Sequence, residues 1–181
     1  MGPAIAGQSM QSRAGMVTSE CAEDATIRTR LTDRFGIRHP ILCAPMALIT
    51  GGALAAAVSD AGGLGIVGGG YAGTLGGEPD LEGELTRAKP AKVGVGFITW
   101  ALEKAPRMLT KALKYSPFCV FLSFGDPRPF AAEVREAGAL LICQVQLLSQ
   151  IDIALEAGAA AVAKASMIFT PCPSRPSAEA K

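Results

Sequence analysis

No part of this sequence is charged enough to mark a partner. Its 17 Lys and Arg balance 16 Asp and Glu, leaving a net charge of +1 with no basic run, so the cationic footprint of a nucleic-acid binder is missing. Cysteine occurs five times but never as a Cys-x-x-Cys pair. The odd count and the spacing exclude a disulfide framework and a zinc site. Histidine occurs once, as His39. Apolar runs are short and broken by Gly or Pro, too short to span a bilayer. The N-terminal residues contain no apolar signal segment, and Ala6 stands where a myristoylation motif following Met1-Gly2 wants Ser or Thr. The expectation is a soluble, cytoplasmic protein in a reducing compartment, with no nucleic-acid or membrane partner, whose Cys43, Cys119 and Cys143 are buried core thiols.

What the chain does have is apolar residues: 49% of 181 positions, against 18% charged, enough for one folded domain with a sizeable core. Strand-like runs recur at Ile41–Met46, Leu64–Gly69, Lys92–Ile98, Phe118–Phe124, Ala139–Val145 and Ala160–Lys164. They are apolar throughout rather than alternating, as parallel strands covered on both faces are. Segments with helical period lie between them. Leu54, Ala57, Val58 and Ala61 fall on one face of Gly51–Ala61, with Thr50 as the expected N-cap. Leu81, Leu85 and Ala88 share a side of Pro79–Lys89, and Ala105, Leu109 and Ala112 a side of Glu103–Tyr115. Phe130, Val134 and Ala137 form the next stripe, and Leu147–Ala157 the last helix.

One joint repeats. Ala61-Gly62, Ala137-Gly138 and Ala157-Gly158 each close a helix just before a strand, where glycine accepts the left-handed backbone that ends a helix. Repeated βα units leave a closed barrel or an open doubly wound sheet. The segment Gly63–Gly68 satisfies G-x-G-x-x-G, yet a dinucleotide loop follows a strand and opens a helix. Here a helix precedes the glycines and the glycines are the strand, so the Rossmann reading fails. The functional reading of Gly68-Gly69-Gly70 is a bare strand end against which a flat ligand can lie, and it is preferred to simple packing room.

The run Pro40-Ile41-Leu42-Cys43-Ala44-Pro45-Met46-Ala47, followed by Leu54–Gly65, resembles the opening of the nitronate monooxygenase family, once called 2-nitropropane dioxygenases. The likeness continues through Val93-Gly94-Val95-Gly96-Phe97, Ser123-Phe124-Gly125-Asp126-Pro127, Gln144-Val145 and Ala154–Ala159. It implies an α/β, TIM-type (β/α)8 barrel, FMN bound non-covalently over the C-terminal strand ends, and oxidation of alkyl nitronates by flavin and O2. On that likeness Ala44, Pro45 and Met46 lie against the isoalloxazine ring, and Gly69 belongs to the bare strand end. Gly96 stands where many relatives place an Asn. Phe97 beside it offers backbone or phenyl, and Gln144 reaches the flavin or its phosphate.

The chain departs from the family pattern after Ala163. Relatives continue with Gln-Gly and then a Glu-Ala-Gly-Gly-His stretch whose His is regarded as the catalytic base. Here Lys164-Ala165-Ser166-Met167-Ile168-Phe169-Thr170-Pro171-Cys172-Pro173 follows, and His39 precedes the first strand, at the opposite end of the barrel. No catalytic residue is nominated. The expected organisation is a flexible tail over 1–30, a partial barrel of about six parallel strands over 31–165, and an irregular Pro/Ser-rich tail over 166–181. Pro171, Pro173 and Pro176 oppose a final helix. Eight units need at least about 200 residues, so the chain reads as a C-terminally truncated or aberrant member, lacking the strands that usually hold the phosphate. Its unpaired strand edges are expected to favour self-association. The alternatives are a non-catalytic interaction fragment, an aberrant gene product, or another FMN barrel such as an enoyl reductase.

Overall fold

The computed structural model describes residues 27–71 and 80–164. Helix α1 (Arg30–Phe35) begins the fold, followed by α2 (Gly52–Asp60), β1 (Gly65–Gly70), α3 (Leu81–Arg87) and β2 (Val93–Ile98). Then come α4 (Thr99–Leu102), α5 (Arg107–Leu113), β3 (Cys119–Ser123), α6 (Arg128–Glu136), β4 (Leu140–Val145), α7 (Gln150–Glu156) and β5 (Ala161–Lys164). The strands form one sheet in the order β1-β2-β3-β4-β5, parallel throughout. Strands neighbouring in sequence and in space, each reached through a helix, make the wall of an incomplete barrel. A doubly wound sheet would reverse its order at a switch point.

The expected first strand, Ile41–Met46, reduces to a single parallel bridge between Leu42 and Leu64. The Cys43 amide donates to Leu64 O and the Leu64 amide to Ile41 O, both at 2.9 Å. Pro45 has no N–H to extend this ladder, and the Met46 amide turns back onto Ala44 O at 2.9 Å. About six strands therefore become five plus one bridge, and the far side of β5 has no strand partner among the described residues.

Strand parity divides the core into two layers. Val67, Val95, Phe97, Val120, Leu122, Leu141, Cys143 and Val145 point outward to the helices. Leu64, Ile66, Cys119, Phe121 and Ile142 point inward, where α1 closes the N-terminal end of the sheet with Phe35. The Phe35 and Phe118 rings meet edge-on at 6.1 Å. Lys92 Nζ donates to Phe35 O at 2.6 Å and lies 3.7 Å from the Phe118 ring centroid. Helix α1 is fixed by a reciprocal cap: the Thr32 amide donates to Thr29 Oγ1 at 3.1 Å and the Thr29 amide to Thr32 Oγ1 at 2.8 Å. Thr29 and Arg30, read as the end of a tail, thus already belong to the folded unit. The rest of the expected N-terminal tail up to residue 26, and the tail from 165 on with Pro171, Pro173 and Pro176, lie outside the described residues.

The repeated joint forms as expected: Gly62, Gly138 and Gly158 have φ of +97°, +74° and +79°. The face of α2 does not. Its buried residues are Gly52 and Ala55, whereas Leu54 and Ala57 are exposed. Small residues win because the backbones touch: a Cβ on Gly65 would overlap the Ala55 backbone, and one on Gly52 would overlap Glu84 O. Leu81, Leu85 and Ala88 are buried as expected, and so are Ala105, Leu109 and Ala112. Helix α5 starts only after Pro106, which sits at its N-cap. In α6, Phe130 and Val134 are buried with Ala131, while Ala137 is exposed. Helix α7 starts at Gln150 rather than near Leu147, because Gln150 Oε1 accepts from the Gln146 and Leu147 amides at 2.8 and 3.0 Å and holds that stretch as a turn. Among the described residues, no helix is long and apolar enough to cross a membrane.

Candidate active site

The segment Ala44–Thr50 leaves the bridge and returns to the start of α2. Thr50, expected to cap that helix, does something else. Its Oγ1 donates to Ala44 O at 2.9 Å and accepts from the Met46 amide at 3.3 Å, while its own amide donates to Met46 O at 2.9 Å. Its carbonyl accepts from the Gly68 amide at 2.8 Å, tying the loop to β1. The side chain is 2% exposed, so these bonds operate away from competing water. The helix N-cap is Gly51, and the α2 amides are served from α3: the Gly52 amide donates to Glu84 Oε2 at 2.6 Å. That bond, then the neighbouring Arg87 guanidinium, holds the Glu84 carboxyl below its usual range.

Held this way, Ala44, Pro45 and Met46 form one side of a concavity of about 510 Å³ on the inner face of the sheet. Phe121 and Ile142 make its floor, Ala161 and Ala163 its far wall, and Ile98, Ser123, Phe124 and Gln144 its mouth at the C-terminal strand ends. Among the described residues, Cys43 is its sole ionisable lining group. Thus an apolar, uncharged trough presents polar atoms only near its mouth, a pattern suited to a flat, largely uncharged ring. Among the described residues, no cluster of His, Cys, Asp or Glu could hold a metal ion.

Ala44, Pro45, Met46 and Gln144 therefore come together, whereas Gly69, Gly96 and Phe97 do not reach the cavity. Parity sends the Phe97 ring outward, where it is 2% exposed in the helix-side core. A Cβ on Gly69 would stand 2.7 Å from Phe97 Cδ1, so the absent side chain makes room for that ring. Gly96 points inward but is covered: a Cβ there would run into the Pro45 ring. Gly68 and Gly70 likewise receive Met46 and Ala47. The glycines of this strand end thus give room to Phe97, Met46, Pro45 and Ala47, and Gly69, Gly96 and Phe97 do not line this cavity. An Asn at position 96 would have to displace Pro45.

Thr50, Ser123 and Phe124 were the residues missed as site candidates. Ser123 Oγ donates to Phe97 O at 3.2 Å, joining the ends of β2 and β3. Phe124 stands at φ +59°, a left-handed backbone that few phenylalanines adopt. The available signal was the stretch Ser123–Pro127, whose Gly125 packs on Thr99 and the Trp100 amide. Asp126 then closes the turn into α6, accepting from the Arg128 amide at 2.9 Å and pairing with its guanidinium at 2.7 Å. Arg128 also lowers the Asp126 carboxyl pKa.

His39 lies at the other end of the sheet, its amide donating to Gly62 O at 2.9 Å and its ring beside Gly62. Cys119 and Cys143 are buried as expected, and burial pushes their thiols up to about 12 and about 11. Cys43 departs from the expected core position: it is half-buried and lines the cavity, because its strand ends at Pro45 before the sheet can cover it.

Comparison with known proteins gives the site its setting. Residues 28–89 match the nitronate monooxygenase family model. Among solved structures, FabK from Thermotoga maritima is similar at 33% identity and a TM-score of 0.65, over 76% of this chain and 43% of that one. A nitroalkane oxidase from Streptomyces ansochromogenes is similar at 26% identity and a TM-score of 0.56, over 74% of this chain and 47% of that one. This chain thus spans less than half the length of either structure. No curated protein matches. The family match over residues 28–89 and the likeness to the nitroalkane oxidase both support membership of the nitronate monooxygenase family.

Proposed function

We propose that this chain carries the ring-binding wall of an FMN-dependent oxidoreductase of nitronate monooxygenase type, acting on alkyl nitronates with O2. The observation that carries the reading is the apolar concavity at the C-terminal strand ends, walled by Ala44–Met46 and edged by Gln144. Its donor set fits the isoalloxazine part of FMN: flat apolar surface, backbone groups held by a proline and a buried threonine, and one amide. The phosphate is a different case, since no Lys or Arg lines this cavity among the described residues.

When bound, FMN supplies the redox chemistry. The residues of this chain bind and orient. Ala44, Pro45 and Met46 pack on one side of the ring, and Thr50 holds their backbone at a fixed distance from β1. Gln144 offers a donor and an acceptor at the mouth. Gly96 contributes from behind, by seating Pro45 against the sheet, while Gly69 and Phe97 pack on each other on the helix side. A cytoplasmic setting suits the free thiols of Cys43, Cys119 and Cys143.

Nitronate-dependent O2 uptake by flavin-loaded protein tests the reading, and flavin-loaded protein without such uptake contradicts it. A second reading, an enoyl reductase, draws support from the higher TM-score and identity of the FabK match. Consumption of a reduced nicotinamide nucleotide with an enoyl thioester, without nitronate turnover, would favour it. The interaction-fragment reading rests on the side of β5 that has no strand partner among the described residues. A colourless, well-defined oligomer on size exclusion favours it, and a yellow monomer opposes it.

A further inference from the structure

Among the described residues, the exposed aromatic side chains each follow the C-terminal end of a strand. Tyr71 follows β1, Trp100 follows β2 and Phe124 follows β3, each between 38% and 39% exposed. The Tyr71 and Trp100 rings are 6.0 Å apart and tilted by 57°, and Lys104 Nζ lies 5.2 Å from the Trp100 ring centroid. Gly125, next to Phe124, packs directly on Thr99 and the Trp100 amide, so the turn that carries Phe124 adjoins the start of the helix that carries Trp100. The chain has few aromatics, 10 in all, with a single tryptophan. The other described phenylalanines are buried or half-buried.

Two further observations connect this rim to the cavity. Phe124 belongs to both, since it also lines the trough. Its backbone is held at φ +59°, a conformation that costs a non-glycine residue stability and that persists where function requires it. A strained backbone that holds a hydrophobic ring half in water at a cavity mouth is poorly explained by packing. A ligand extending from the cavity would cover that ring.

We propose that Tyr71, Trp100 and Phe124 form a stacking subsite for a flat aromatic group carried by the substrate, so that the chain prefers aryl-bearing nitronates to short alkyl ones. The inference rests on the proposed reaction and narrows its substrate class. The nitronate end occupies the trough beside Met46 and Gln144, and the aryl group lies outside, against Trp100 and Phe124. Aromatic contacts of this kind contribute beyond the area they bury, which sets the expected preference at about tenfold in affinity.

Trp100, as the single tryptophan, reports on its own subsite. The full chain, with and without FMN, is titrated with the nitronates of 2-phenyl-1-nitroethane and 1-nitropropane, and with 2-phenylethanol as a probe lacking the nitronate. Calorimetry and Trp100 emission are read together. The expected result is tighter binding of the phenyl nitronate, a Trp100 response to both phenyl probes, and none to 1-nitropropane nitronate. Trp100→Ala should remove most of the preference in calorimetry. Phe124→Gly should remove it too while keeping the fold, because glycine accepts that backbone without strain. Equal affinities, or a preference that survives both substitutions, overturn the proposal. So does a Trp100 response to FMN alone that abolishes the response to 2-phenylethanol, because the flavin ring then fills the rim. A response to 2-phenylethanol without nitronate oxidation upholds the subsite and overturns the reaction assigned above.

Discussion

Gly69→Ala separates the two roles a glycine-rich strand end can have. A Cβ at this position would stand 2.7 Å from Phe97 Cδ1 and 3.0 Å from Gly96 O. Ordinary carbon contacts lie at about 3.5–4.0 Å, so the ring would have to retreat by roughly 1 Å. It has nowhere to go: Phe97 is 2% exposed and packed in the helix-side core. Overpacking of this kind costs about 1–3 kcal/mol. Phe97→Leu removes the colliding ring atoms and carries its own cost of about 1–2 kcal/mol for the lost packing. If the glycine is there for the phenyl ring, the double variant should cost less than the sum of the single ones. The expected coupling is about 1–2 kcal/mol, within the range seen for residues in contact. Urea unfolding of the four proteins measures it, with an unchanged m-value as the control for a common denatured state. Costs that add to within about 0.5 kcal/mol, together with a Gly69→Ala protein of unaltered stability that no longer retains FMN, would refute the packing argument and restore the glycines as a ligand platform.

Thr50→Val keeps the shape but removes the bonds to Ala44 O and the Met46 amide; a loss of about 1–3 kcal/mol in unfolding free energy is expected, with weaker flavin retention. Glu84→Ala removes the acceptor for the Gly52 amide and should cost about 1 kcal/mol. Because the Glu84 carboxyl pKa is lowered from 4.5 in the folded protein, its stabilisation is full above that value and is lost as pH falls through the lowered one; the two melting curves should converge in acid. Iodoacetamide on the native protein should spare Cys119 and Cys143, whose thiols are raised to about 12 and about 11, and should modify Cys43 in the open trough, as peptide mapping will read. Riboflavin and FMN should bind with affinities that differ by less than the about tenfold that one charge-assisted bond to the phosphate contributes, because no cationic side chain lines the cavity among the described residues.

Much of this arrangement was legible in the sequence, for identifiable reasons. The Ala-Gly joints announced the βα repeat because a left-handed helix end has few alternatives to glycine. Residues 44–46 were placed at the wall by the family resemblance, whereas the end of the strand before Pro45, whose ring offers no N–H to the ladder, was not read. The facing of Phe97 was not legible: Val93–Phe97 is apolar on both sides, so alternation cannot say which parity faces the helices. The contacts of Gly94 and Gly96, against Cys119 and Pro45, settle the parity, and they join residues distant in sequence. Thr50 misled for a related reason. A threonine before a helix ordinarily caps it, but here its hydroxyl is taken by Ala44 O six residues back, and α2 draws its acceptor from Glu84 on another helix. Leu54 and Ala57 had the spacing of a buried stripe, but α2 lies so close to β1 and α3 that only Gly52 and Ala55 fit at the contact.

The central claim is that the trough bounded by Ala44–Met46 and Gln144 holds a flavin ring. The visible absorption spectrum of the full chain, incubated with FMN and desalted, tests it most directly. The account predicts a retained flavin band, FMN released on denaturation, and a weaker band from Thr50→Val protein. Folded but colourless protein, with all the FMN left in the desalting fractions, would contradict it.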